Sequence, residues 1–193
     1  VRAILFNGTL KASPGVLSLF ELAVRKQIPC YAVHETMIWE IDDTLKLEAL
    51  YPMTEQLASN EVPIEKDQNA NSVALLATLY GRTFMLPGDL EAEGELRILA
   101  NRPAAAALSA VDVLKAGHHG SKTSTTQSWL DYWRPADTVI SVGRNNLYGH
   151  PHPTVVERLE ASGTTIVRTD RSGEVQYRVH PDGTMERRTK RLL

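Results

Sequence analysis

Three stretches of the chain repeat one layout. "FMLPGDLEAEGE", "VDVLKAGHHGSKTS" and "VISVGRNNLYGHPHPTVVERLEASG" each pass from an apolar run to a glycine, then to acids or imidazoles, then to helix-like sequence. A short apolar run that stops at glycine reads as a buried strand, and the following segment reads as the helix that covers it. Strand and helix in alternation commit the chain to a layered α/β architecture with a partly mixed sheet. In such layers polar side chains collect where strands end and loops open. Four of the six histidines fall between His118 and His152, within these loops.

The remaining segments fit the same plan. Residues 2–6 read as a strand, and "SPGVLSLFELAVRKQ" as a helix with Ser13 at its N-cap and Pro14 at its first position. "CYAV" is a short apolar strand. In "TLKLEAL", Leu45, Leu47 and Ala49 alternate with Lys46 and Glu48, which suits a half-exposed strand. A polar loop covers roughly 52–70 and is longer than usual connections. "NSVALLATLYGRTFMLPGD" reads as a hairpin turning at "YGR", and "LEAEGELRILA" as a helix with acids in its first turn. "STTQSWLDYW" reads as a helix with Ser124 and Gln127 in capping-box spacing, and Trp129 and Trp133 on its buried face. "PTVVERLEAS" is a helix stopped by Gly163, and "EVQYRV" with the residues after "PDG" forms a closing hairpin.

Bulk properties exclude several classes. The 193 residues suit one domain, 1–193, with a sizeable core. A net charge of -2 gives no general attraction for nucleic acid, so a contact with DNA needs a local patch. Cys30 is the single cysteine and leaves no disulfide or multi-cysteine metal site. There is no P-loop, dinucleotide fingerprint or GxSxG elbow. His34 and His180 are isolated and read as ordinary surface or core histidines. The basic run "ERRTKR" reads as a solvated tail.

The ligand candidates are Asp89, then His118 and His119, then His150 and His152, one group after each of three strands. Imidazole and carboxylate together suit Zn²⁺, Mn²⁺ or Fe. Each has a plainer reading: Asp89 as a helix cap, the histidine pair as a polar loop, and His152 as a cap behind a stiff turn. Repetition at three strand ends favours a site. Ser121, Thr123 and Ser124 suit phosphate contact or the positioning of a histidine, and suit loop solvation and capping equally well.

From "GDLEAEGE" through "LKAGHHGSKTS" to "VGRNNLYGHPHPTVVERLEASGTTIVRTDRSGEV", the chain resembles the C-terminal metallo-β-lactamase-like domain of ComEC-type DNA-internalisation proteins. "QNANSVALLATLYGRTFMLPGD" fits the same family. The resemblance covers nearly the whole chain and is strong from Asn69 onward. It implies a four-layer αββα sandwich with its site at the sandwich edge. It places Asp89 as a carboxylate bridging two metals and His119 as a ligand, with His118 either a ligand or a neighbour of the substrate phosphate. His150 and His152 become the far wall, donating protons or contacting phosphate, and Ser121 and Thr123 become substrate contacts. Asn71 stands where many relatives carry another metal-binding histidine, which weakens a second metal position and leaves Asn71 as a substrate contact.

The family's first ligand motif, HxHxDH or HxDxDH, is absent, and "VRAILFNG" resembles the strand that follows it. The expectation is a sandwich lacking its N-terminal strands and about half its ligands, prone to self-association through exposed sheet. The resemblance implies Zn or Mn, up to two ions, and hydrolysis of single-stranded DNA by metal-activated water. The parent is then a bacterial membrane protein, with this domain on the extracytoplasmic side beside a membrane channel. Two alternatives stand: a non-catalytic, DNA-guiding module, and a hydrolase of another phosphodiester or ester.

Overall fold

The computed structural model describes residues 1–54, 62–66, 68–102 and 110–190. Strand β1 (Ile4–Phe6) and the two-residue β2 (Leu10–Lys11) lead into helix α1 (Pro14–Arg25). Ser13 caps α1 by accepting the Val16 amide at 3.4 Å, with Pro14 in the first turn, where its missing N–H costs nothing. Strand β3 (Cys30–Ala32) returns parallel to β1 as a separate two-stranded sheet, with Cys30 half-buried. Strand β4 (Ile38–Glu40), which the sequence pattern does not announce, pairs antiparallel with β5 (Leu45–Tyr51). The long polar connection contains β6 (Ile64–Glu65), paired with β2, while 55–61 and 67 lie outside the described residues.

Strands β7 (Ala74–Leu79) and β8 (Arg82–Leu86) form the expected hairpin. Tyr80 and Gly81 turn it with φ of 47° and 79°, the pair of positive values that matches strand twist in a two-residue turn. Helix α2 (Ala92–Ala100), strand β9 (Val113–Lys115), helix α3 (Gln127–Trp133) and strand β10 (Asp137–Ile140) alternate as expected. Helix α4 (Pro153–Ala161), strand β11 (Thr165–Arg168) and the single turn α5 (Thr169–Ser172) follow. Strands β12 (Glu174–Val179) and β13 (Met185–Lys190) close the chain as a hairpin. The basic run is therefore mostly strand: Arg187 bonds Asp137 at 2.6 Å and Arg188 bonds Glu186 at 2.8 Å.

The main sheet has seven strands in the order β11-β10-β9-β8-β7-β5-β4. It is parallel from β8 to β11 and antiparallel from β8 to β4. The α/β class with a large mixed sheet is thus as expected. Beside this sheet, the described residues form three two-stranded pairs.

One apolar core joins this sheet to its helices. Met85, Leu90, Leu114, Trp129, Ile140, Val155 and Leu159 are each at most 1% exposed. Trp129 and Trp133 lie in that core with their rings edge to face at 5.5 Å, as the helix spacing implied. The cap of α3 is a correction. Thr126, not Ser124, accepts the Trp129 amide, because Ser124 is fully buried and donates to the Gly117 and Ser121 carbonyls.

Candidate functional site

Three turns at the C-terminal ends of β8, β9 and β10 supply the chemistry. After β8, Gly88 turns at φ 64° and places Asp89 beyond the strand, its amide donating to Ser72 Oγ at 3.1 Å. Asp89 is not a helix cap, since Glu91 holds the N-cap position of α2. After β9, His118 (φ 43°, ψ 46°) and His119 (φ 56°, ψ 22°) both adopt the left-handed conformation. Residues with a Cβ pay roughly 1–3 kcal/mol each for such backbone, so the surrounding structure must impose it.

The imposing bonds are visible. The His118 amide donates to the Gly88 carbonyl at 3.2 Å and the Gly117 amide to Thr125 Oγ1 at 3.0 Å. Ser124 Oγ donates to the Gly117 carbonyl at 2.6 Å. The fully buried Glu95 of α2 accepts the amides of Thr125 and Thr126 just downstream, and Arg158 of α4 binds the Ser124 and Thr125 carbonyls. Burial pushes the Glu95 carboxyl above its ordinary range, opposed by the Thr126 and Thr125 groups and by the Arg158 charge.

This scaffold brings Asp89 Oδ1 within 3.5 Å of His119 Nε2. His119 Nδ1 lies 2.8 Å from the Ser141 carbonyl and must donate to it, which fixes the ring and, in the neutral imidazole, leaves Nε2 as a bare acceptor. Two acceptors facing each other require a proton or a cation nearby. Lys115 supplies one positive charge, with Nζ 3.8 Å from Asp89 Oδ1 and 2.8 Å from the Gly88 carbonyl it bonds. Burial lowers the Lys115 pKa, and Asp89 opposes that shift.

His118 is set by a second carboxylate. Its Nδ1 donates to Glu91 Oε1 at 3.2 Å, and Thr123 Oγ1 donates to the same oxygen at 3.0 Å. The rings of His118 and His150 meet edge to face at 5.8 Å. His150 Nδ1 is buried with no hydrogen-bond partner among the described residues. Desolvation and the neighbouring His118, His119 and His152 imidazoles hold the His150 pKa below its ordinary value.

Asp89, His118, His119 and His150 therefore converge, and Thr123 joins them through Glu91. Ser121 is buried and bonded to Thr123 at 3.0 Å. His152 turns to its own helix, with Nδ1 against the Thr154 hydroxyl at 2.9 Å and capping α4. Asn71 is also buried and donates to Glu65 at 2.6 Å. Sequence reasoning missed Glu91, Glu95 and Lys115. Lys115 had a readable sign, as a charge closing the otherwise apolar run "VLKA".

As a metal centre the donor set is half built. Asp89 and His119 suit two positions on a divalent cation, with the Ser141 bond giving the outer support typical of a ligating histidine. Among the described residues, no group of three histidine, cysteine, aspartate or glutamate side chains is placed to hold an ion, and a catalytic zinc usually has three protein ligands. No described helix is long and apolar enough to cross a membrane.

No protein-family model matches the chain. It is homologous to segments of three proteins. It is 40% identical over 120 residues to ComE operon protein 3 of Bacillus subtilis, covering 62% of this chain and 15% of that protein. Recombination protein 2 of Haemophilus influenzae is 35% identical over 127 residues, 66% of this chain and 15% of its own length. Competence protein ComA of Neisseria gonorrhoeae is 35% identical over 124 residues, 64% of this chain and 18% of its own length. The matches span less than a fifth of each relative. A crystal structure named for a metal-dependent hydrolase of Parabacteroides distasonis overlays with a TM-score of 0.43 and 12% identity, over 84% of this chain and 64% of that one.

Proposed function

We propose that the chain is part of a competence protein acting in DNA uptake, and that it hydrolyses phosphodiesters of single-stranded DNA at the Asp89–His119 pair. One observation carries the chemistry: a carboxylate and a rigidly held imidazole face each other at 3.5 Å, at the ends of adjacent parallel strands. Homology to proteins named for competence and recombination supports the nucleic-acid setting. A membrane-channel partner and an extracytoplasmic position belong to the same proposal.

The chain's own residues have separable tasks in this reading. Asp89 and His119 would hold a divalent cation, Zn or Mn, which when bound would lower the pKa of water to about 7 and offset charge on phosphate. Lys115 keeps Asp89 in place from the buried side. Glu91 orients His118, so that its far nitrogen or the His150 ring would take the proton released by the attacking water and return it to the departing oxygen. Thr123 keeps Glu91 directed at His118.

The test is hydrolysis of an end-labelled single-stranded oligonucleotide and of bis(p-nitrophenyl) phosphate, with Mn²⁺ or Zn²⁺ added. Asp89→Ala and His119→Ala are each expected to lower the rate at least about 100-fold without lowering thermal stability. Unchanged rates in both variants refute the assignment. The incomplete ligand set favours a second reading, a DNA-guiding module without catalysis. Equilibrium dialysis separates the two: no uptake of either metal together with no hydrolysis selects the module.

A further inference from the structure

Resting on that nucleic-acid reading, we propose that the cavity beside His119 is a nucleobase subsite. There the ring of Tyr148 stacks on one base of a single strand whose adjoining phosphate lies at the Asp89–His119 pair. The cavity measures about 640 Å³, within the range of small-molecule sites, and is lined by His119, Val142, Asn146, Tyr148, His150 and Glu174 among others. It shares His119 with the candidate centre, so a ligand filling it reaches the same imidazole.

The lining chemistry selects the base over the phosphate. Among the described residues no lysine or arginine lines this cavity, and Glu174 adds a carboxylate that repels an anion. Its other polar groups are the His119 and His150 imidazoles, the Ser141, Thr169 and Tyr148 hydroxyls and the Asn146 amide, hydrogen-bonding groups that suit an uncharged heteroaromatic ring. Positive charge lies outside the cavity, where Arg144 on the same loop and Lys122 beside the histidine turn are both exposed to a passing backbone. That division matches the two halves of a nucleotide.

Tyr148 is shaped for stacking. Its ring lies within 20° of parallel to the His150 ring, centroids 6.0 Å apart, yet the residue is 83% exposed. A large ring lying nearly parallel to a neighbouring imidazole while open to solvent offers a face to a base. The loop beneath is fixed in advance. Asn146 accepts the His150 amide at 2.9 Å and donates to the His150 and Gly143 carbonyls at 2.8 and 3.1 Å. A base therefore meets a formed surface, and little ordering cost is left for binding.

The experiment compares fluorescein-labelled dT15 with an abasic oligonucleotide of equal length and charge, by anisotropy on the 193-residue chain. The wild type is expected to bind dT15 about tenfold more tightly, the scale of one base–aromatic stack. Tyr148→Ala is expected to bring dT15 down to the abasic level and leave abasic binding unchanged, whereas Tyr148→Phe retains the preference. Equal wild-type binding of both oligonucleotides, or an equal loss for both in Tyr148→Ala, overturns the stacking subsite. The nuclease reading survives that result if Asp89→Ala still abolishes hydrolysis. No binding of either oligonucleotide overturns the subsite and removes its foundation as well.

Discussion

Replacing Glu95 by alanine tests whether the histidine turn is held from beneath. Glu95 is 0% exposed and accepts two backbone amides, from Thr125 and Thr126, with Arg158 close enough to add its charge. Leaving a buried backbone donor without its acceptor costs roughly 1–3 kcal/mol, and Glu95 serves two of them. Alanine strands both amides and leaves a void, so the expected loss is about 4 kcal/mol. For a chain of this size each kcal/mol lowers the melting temperature by about 2–4 °C, giving a drop of about 8–16 °C. Glu93 on the same helix is the control. Its bond to Arg97 is an exposed i,i+4 pair, and Glu93→Ala is expected to cost no more than about 0.5 kcal/mol. The pH dependence carries a sign. Because burial raises the Glu95 pKa above the ordinary 4.5, its stabilising contribution is complete below that value and declines as pH rises through the raised one. The Glu95→Ala penalty is therefore larger at pH 5 than at pH 8, read by urea unfolding. A melting temperature within 3 °C of wild type, or a penalty that grows with pH, refutes the reasoning.

Two further substitutions probe the same turn. Gly120→Ala introduces a Cβ 2.7 Å from Pro151 Cβ at a residue with φ of +82°, and a loss of about 2–3 kcal/mol in urea unfolding is expected. Glu91→Ala removes the acceptor of His118 Nδ1 at a half-exposed position, so hydrolysis is expected to fall about 10-fold or more while the melting temperature stays within 2 °C. Glu91→Gln is expected to restore part of that rate.

Much of this was legible where side-chain period and punctuation act locally. The Ser13–Pro14 start of α1, the hairpin at Tyr80–Gly81 and the stop at Gly163 each depend on neighbours in sequence. Convergence of Asp89 with His119 was also legible, because both follow strands and adjacent parallel strands end at one edge. What escaped depends on contacts between distant segments. Glu95 reads as one more acid in the first turn of a helix, and only the packing of α2 against the loop before α3 turns it into an acceptor for two amides. Ser124 had the spacing of a cap, yet two carbonyls nearby took its hydroxyl and left the cap to Thr126. Glu91 gave no sign, since its partner is 27 residues away.

The split of the main sheet has its own consequence. Asp89, His118, His119 and His150 all issue from β8, β9 and β10, within the parallel half, while β4, β5 and β7 end without contributing any of them. The two halves are thus under different demands. Strands β4, β5 and β7 need only keep apolar cover and register, leaving sequence room for drift, for new surface contacts or for a changed partner. The other half cannot shift by one residue without turning an imidazole away from its carboxylate.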